Sequence, residues 1–452
     1  TLQTEAGRWT KAGAMALKAR ILQFAASPLF NDSQGYYGGT SEAEQKRLVW
    51  YGEYKPEYWT RFKEACKAFI DKLSTDGGYS LVQADGTRPQ DYRLAYRTAY
   101  FDEGSSEIIH SVHWLNKPNS QYVWYSWMGH NRTVYSVTQE YVEMFPWSDG
   151  TPFDWDKAET EGKLNQMFIK GDSVEGKALL QNVLLTRDPR LYETAIVNGT
   201  PSTLDWTTAA MTGNPYETWV GGSTSNNNSV DEQYGFATSY RNMKYSFGEY
   251  SGHGLQWATI RLSDVYLMYA EALIQTNTSG NFKDAIEWID KVRARVGMKG
   301  LVECNPDKDL LHNKELLMQE LFRERACELG FENARYMDMV RYKMKSTFEK
   351  PLHGLRIYRM VKNPTTGKFE RCNLQWYKAS KGQTFTCSDG TKVKIAYKDG
   401  IQQPTVFEYE KFELNKGKRL WWSQGFDPKW YLTPFKTTEI NKGYGLVQNP
   451  GW

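Results

Sequence analysis

The chain has 452 residues, a formal net charge of +3 and 24% charged residues, with both signs mixed along its length. That length supports a large core, and with no basic tract there is no electrostatic footprint for nucleic acid. No run of 18 apolar residues exists, which excludes a helical membrane span from the sequence as given.

Lys11 to Phe30 is the first predicted helix: Ala14, Leu17, Ile21, Phe24 and Ala25 share a face, and Pro28 stops it. Ala12, Ala14, Ala16 and Ala19 are small enough to admit a second helix at close range. That helix is predicted over Glu57 to Leu73, with Trp59, Phe62, Cys66, Phe69 and Leu73 on its face. Residues 75 to 258 carry few long periodic runs and are rich in Gly, Ser, Asn, Thr and aromatics. They read as loops, with a strand over Ile108 to Trp114 and a low-complexity turn at Gly221 to Ser229.

Helical periodicity returns at Arg261 to Met298. Leu262, Val265, Tyr266, Tyr269, Ala272 and Leu273 form one stripe, and Ala285, Ile286, Ile289 and Val292 form another. Asn277 to Asn281 breaks the pattern with turn formers. A third pair covers Lys314 to Met344. No such helix buries its stripe alone, so three pairs predict a tetratricopeptide-like array. From Leu355 to Phe412 the signal is strands, around a turn at Pro364 to Gly367 and hairpin signals at Asp389-Gly390 and Asp399-Gly400. This stretch reads as a small β insertion, not a separate domain.

The five cysteines form no CxxC pair, so no zinc or redox site is expected. Cys66 and Cys327 lie on predicted helices as small core residues. Cys372 and Cys387 fall in candidate neighbouring strands, which leaves a disulfide open. His110 and His113 are three apart, but on a strand they lack a third ligand, so no metal site is expected. The densest charge cluster runs from Arg323 to Arg341, with Glu271. Arg325 with Glu328 and Arg335 with Asp338 have the spacing of intrahelical ion pairs. Such pairs hold helices together or fix the turn at Gly330. The other reading is a glycosidase carboxyl pair, with Glu324 and Glu328 as its candidates.

Aromatic residues make up 15% of the chain, with 17 Trp and 29 Tyr. The sharpest ligand candidate is Asn119 to Arg132, NSQYVWYSWMGHNR. It sets Tyr122, Trp124, Tyr125 and Trp127 beside His130, Asn131 and Arg132. Sugar recognition needs aromatic faces for C–H surfaces and fixed donors and acceptors for hydroxyls. Trp114 joins this set, and Tyr216, Trp219 and Trp257 are weaker candidates. The competing reading assigns part of these rings to the core.

Six blocks, in order, resemble the SusD/RagB family of Bacteroidetes outer-membrane nutrient-binding lipoproteins. They are Gly7 to Asn31; Thr138 to Pro152 (TQEYVEMFPWSDGTP); Arg187 to Tyr192 (RDPRLY); Arg261 to Val296; Glu320 to Arg341 (ELFRERACELGFENARYMDMVR); and Tyr431 to Trp452, ending QNPGW. Two features depart from the family pattern. The first block starts at Gly7, whereas family members carry it far into the chain, so the N-terminal part with the lipid-bearing Cys is expected to be absent here. The terminal motif reads Leu432-Thr433-Pro434-Phe435 in place of Pro-Ile-Pro.

The resemblance implies a mainly α fold of tetratricopeptide-like helix pairs, packed on a loop-rich region with a few short β-hairpins. It implies one domain over 1–452: scaffold at 8–74 and 259–347, ligand loops at 75–258, β insertion at 354–412 and a C-terminal anchor segment at 413–452. It further implies a lipid-anchored protein on the outer face of the outer membrane. Such a protein binds oligosaccharides without catalysis and passes them to a SusC-type TonB-dependent barrel. The family's ligand loops include the region just before the TQE block, which here holds Tyr122 to Arg132. No cofactor is implied, and a structural calcium stays open. Peptide binding, a glycosidase and a purely protein-binding scaffold remain as alternatives.

Overall fold

The computed structural model describes residues 8–113, 136–170, 184–224, 238–245, 256–414 and 424–452. Helix α1 spans Lys11–Ala26, started by Thr10, whose hydroxyl accepts from the Gly13 amide at 3.0 Å. It stops at Ser27, one residue before Pro28, which has no amide hydrogen to continue the ladder. Helix α2 spans Glu57–Asp76 and ends at Gly77, whose φ of 66° suits glycine. Ala16, Ala19 and Ala26 are fully buried and let α1 close on Trp59, Phe62 and Cys66 of α2.

A helix that the sequence does not announce, α3, covers Pro89–Phe101. Two of its inward positions are Arg93 and Arg97, both buried, so it lacks a clean apolar stripe. Their guanidiniums meet the equally buried Glu193, Arg97 at 2.7 Å and Arg93 at 2.7 Å. Strand β1, Ile108–His113, follows as expected. Past short helices at Gln139–Met144 and Trp155–Thr160 lies a hairpin, β2 (Pro201–Leu204) and β3 (Met211–Pro215), and β4, Gln256–Arg261, pairs antiparallel with β1.

Strand β4 runs straight into α4, Leu262–Gln275, which is followed by α5, Lys283–Ala294. Helix α4 is apolar on two sides and buried on both. Val265, Met268 and Ala272 face α1 and α2, while Leu267, Ala270 and Ile274 face Ile286 and Ile289 of α5. The second core continues into α6, Lys314–Glu328, through Leu317 and Leu321, and α7, Ala334–Arg341, closes the third pair. The three helix pairs are thus stacked in series, with α4 at the centre. Among the described residues no helix is long and apolar enough to cross a membrane.

The stretch from His353 is built of strands. β5 (His353–Lys362) sits between β6 (Phe369–Cys372) and β9 (Phe407–Glu413), all antiparallel; β7 (Thr384–Thr386) and β8 (Lys392–Lys394) form a separate hairpin. Leu355, Ile357 and Phe407 insert into the same core as Val142, Trp219 and Trp376, so the sheet is docked on the loop-rich region. Asp389-Gly390 turns the β7–β8 hairpin, with Gly390 at φ 85°. Asp399-Gly400 does not make a hairpin: Tyr397–Asp399 is one 3-10 turn closed by Gly400 at φ 78°. Cys372 and Cys387 are separate buried thiols, and Cys372 packs with Val361 and Ile395 instead of forming a disulfide. The fold is mainly helical with small antiparallel sheets.

Candidate functional site

The predicted ligand residues Trp114, Tyr122, Trp124, Tyr125, Trp127, His130, Asn131 and Arg132 lie outside the described residues. The structure gives the frame on either side of them. The described chain reaches His113 at the end of β1 and resumes at Ser136; it reaches Tyr245 and resumes at Gln256, the first residue of β4. His113 and Gln256 are direct partners across the β1–β4 ladder. Two stretches of sequence therefore join the frame at the same end of one strand pair.

That end is fixed by hydrogen bonds. Ser111 Oγ lies 2.7 Å from His113 Nε2 and donates to Gln256 Oε1 at 3.3 Å, while Gln256 Nε2 donates to the Phe101 carbonyl at 2.8 Å. His110 points the other way, stacked on Trp9 with ring centres 3.8 Å apart and with Nδ1 2.6 Å from Thr259 Oγ1. The two histidines therefore do not share a face.

Behind the ladder is an aromatic layer. Tyr100 meets Tyr96 and Tyr245 edge-on at 5.1 and 5.2 Å, and Tyr245 meets the half-buried Trp257 of β4 at 6.3 Å. Lys244 is buried within it, its ammonium 4.5 Å from the centre of the Tyr100 ring and 2.9 Å from Tyr96 Oη. Burial pushes Lys244 down to about 8, against the pull of its ion-pair partner Glu332. Two of the weaker ligand candidates are core residues. Trp219 is fully buried and donates from Nε1 to the Leu374 carbonyl at 3.2 Å; Tyr216 is buried and donates to the Ser202 carbonyl at 3.3 Å.

The layer rests on a network of buried charges. Arg261, at the junction of β4 and α4, reaches Glu107 at 2.7 Å, Glu328 at 2.9 Å and Glu332 at 2.9 Å. Glu328 also takes Arg190 at 3.0 Å and Arg295. Burial alone would raise the Glu328 carboxyl; Arg295, Arg261 and Arg190 overcome it and hold that carboxyl far below the usual carboxylate range. Arg190 continues to Glu324 at 2.6 Å.

These contacts correct the sequence-based pairing. Arg325 spends its charge on Asp264 at 3.0 Å and Asp338 at 2.7 Å, and Asp338 also takes Arg341 at 2.8 Å. Arg325 thus links α6 to α4 and α7 instead of pairing with Glu328 along its own helix, while the intrahelical pair in α7 is Asp338 with Arg341, three apart. The turn at Gly330 is indeed fixed by charge, through Glu332 with Arg261 and Lys244. A glycosidase acid needs a raised pKa and access to substrate. Glu328 has neither: it is fully buried and its carboxyl is pulled down.

Stacked helix pairs with a loop-rich face, braced by buried ion pairs, define a helical-repeat scaffold that presents loops. The SusD family's sequence profile matches residues 94–452, and the chain belongs to that family. The match starts after the first of the six blocks. Solved structures match over the whole chain. A SusD-like protein from Bacteroides fragilis is 20% identical with a TM-score of 0.57, and the chain covers 66% of that protein. A protein designated BT4246 is 19% identical with a TM-score of 0.63, and the chain covers 72% of it. At these identities the likeness is one of fold, and the chain spans about two-thirds of the length of the first of them. No curated protein matches the chain in sequence.

Proposed function

We propose that the protein binds oligosaccharides at the cell surface, without chemical change, and hands them to a SusC-type TonB-dependent barrel in the outer membrane. The observation that carries this reading is the junction of an aromatic-rich segment, Trp114 to Arg132, with a rigid frame in a member of the SusD family. Four rings and three polar side chains fall within eleven positions there, which matches the two needs of a sugar site. The buried, ion-paired state of Glu324 and Glu328 supports binding without hydrolysis. Attachment to the membrane through an N-terminal lipid belongs to the same reading, as does the absence of a required cofactor.

Isothermal titration against a panel of neutral and acidic oligosaccharides, with mixed-sequence peptides beside them, tests this. Saturable binding of a sugar, with its reducing end intact after incubation, is the expected result. Binding of peptides alone would move the same scaffold to peptide uptake. Release of shorter sugars that stops on Glu324→Gln would restore the glycosidase reading.

A further inference from the structure

A second feature of the loop-rich face has the make-up of a sugar subsite. Between the start of α3, the segment 82–86 and the turn joining β2 to β3 lies an open cleft of about 440 Å³. Its wall is the half-buried indole of Trp206, its floor is Ala95 and Ala209, and its rim carries the exposed Gln83, Asp85 and Thr207.

The cleft is held in shape before any ligand arrives. The Arg97 guanidinium lies 5.0 Å from the centre of the Trp206 ring, and the Phe101 ring packs 5.9 Å from it. Asp205 accepts from the amides of Thr207 and Thr208 at 2.9 and 2.7 Å and from the Thr208 hydroxyl at 2.8 Å, which locks the turn. Ala209 in that turn has φ 55°, a left-handed conformation that a residue with a Cβ rarely adopts. Arg88 ties the turn to α3, donating to the Thr208 carbonyl at 3.1 Å while it pairs with Asp91 at 2.6 Å. Fixed walls of this kind reduce the ordering that binding would otherwise require.

The chemistry selects a class of ligand. An indole face suits the C–H face of a pyranose or furanose ring, and an amide, a carboxylate and a hydroxyl on the rim suit its hydroxyls. Among the described residues the one cation lining the cleft, Arg88, is already neutralised by Asp91, and Asp85 adds a negative charge. That balance favours a neutral sugar over a uronate, a sulfate or a phosphate. Trp206 also packs on the same aromatic cluster as Trp257 of β4, so the cleft adjoins the frame of the proposed ligand region.

We infer that this cleft holds one unit of a neutral saccharide, stacked on Trp206 with its hydroxyls bonded to Gln83, Asp85 and Thr207. The inference rests on the glycan reading above and extends it to a separate subsite. The test is calorimetry on the full chain with maltoheptaose, xylohexaose, mannohexaose and an oligogalacturonate as probes. One of the neutral sugars binds, and Trp206→Ala weakens it about tenfold, the scale of one aromatic contact. Trp206→Phe keeps most of the affinity. The double variant Gln83→Ala/Thr207→Ala, confined to exposed side chains, weakens binding with an unchanged unfolding midpoint. If the wild type binds a neutral sugar and both Trp206→Ala and the rim variant bind it equally well, the subsite is wrong and the glycan reading stands. Binding of the oligogalacturonate alone overturns the neutral assignment. If no sugar binds the wild type, the glycan reading fails and the subsite falls with it.

Discussion

Glu328 is the residue on which the buried charges converge, and its removal is the sharpest stability test at this scale. Glu328→Gln leaves Arg190, Arg261 and Arg295 short of a counter-charge in the core. Breaking one partner out of such a buried set costs about 3–5 kcal/mol, to be read from urea unfolding. The pH dependence has a definite sign. The carboxyls of Glu328, Asp264 and Asp338 are all held below their ordinary values, each by guanidiniums that outweigh its burial. As pH falls, the unfolded chain takes up protons first, at about pH 4. The stability these groups contribute is therefore complete above that range and is lost as pH falls toward their folded values. Urea midpoints measured stepwise from neutral to acid should fall, and fall less steeply in Glu328→Gln; a flat profile in the wild type would contradict the network. The sequence showed that these charges were dense but not whom they met. Arg190 and Glu324 lie 134 positions apart, and Arg261 and Glu107 lie 154 apart, distances that no helical spacing rule reaches.

Among the elements, those with a continuous apolar stripe were legible. The pairs α1–α2, α4–α5 and α6–α7 form where they were predicted, with α2 running three residues past Leu73 to Asp76, because burying such a stripe is what makes each helix form. Helix α3 was not legible, since Arg93 and Arg97 occupy inward positions and are satisfied by Glu193 about a hundred positions away. Asp399-Gly400 misled for a related reason: a Gly at positive φ closes a 3-10 turn as well as a hairpin. The turn after Trp219 carries an element-scale prediction. Val220 donates its amide to the Ile357 carbonyl at 2.8 Å, which docks β5 on the loop-rich region. Gly221 has φ 86°, and a Cβ there would sit 1.7 Å from the Asn373 carbonyl oxygen. Gly221→Ala should destabilise the fold by more than about 1 kcal/mol in thermal unfolding, because both the conformation and the close approach exclude a side chain. Unchanged stability would mean that the β segment is not held by this contact.

For the whole molecule, a stack of helix pairs forms the scaffold, and the proposed sugar-binding role is assigned to segments joined to it. The scaffold was readable because its periodicity is local and because the six blocks resemble the family that the profile match then established. The proposed ligand region rests on composition, a density of rings next to polar side chains, and on its place before the TQE block, since loops have no periodicity from which positions could be read. Composition misassigned Trp219 and Tyr216, which the fold uses as core, and gave no sign of the cleft at Trp206. The central claim is that the segment before the TQE block holds the glycan. The most direct measurement is calorimetric titration, with an oligosaccharide that the wild type binds, of a Trp124→Ala/Trp127→Ala double variant shown to be folded by its unfolding midpoint. The expected result is a loss of about a hundredfold or more, two aromatic contacts removed together. Binding equal to that of the wild type would contradict it.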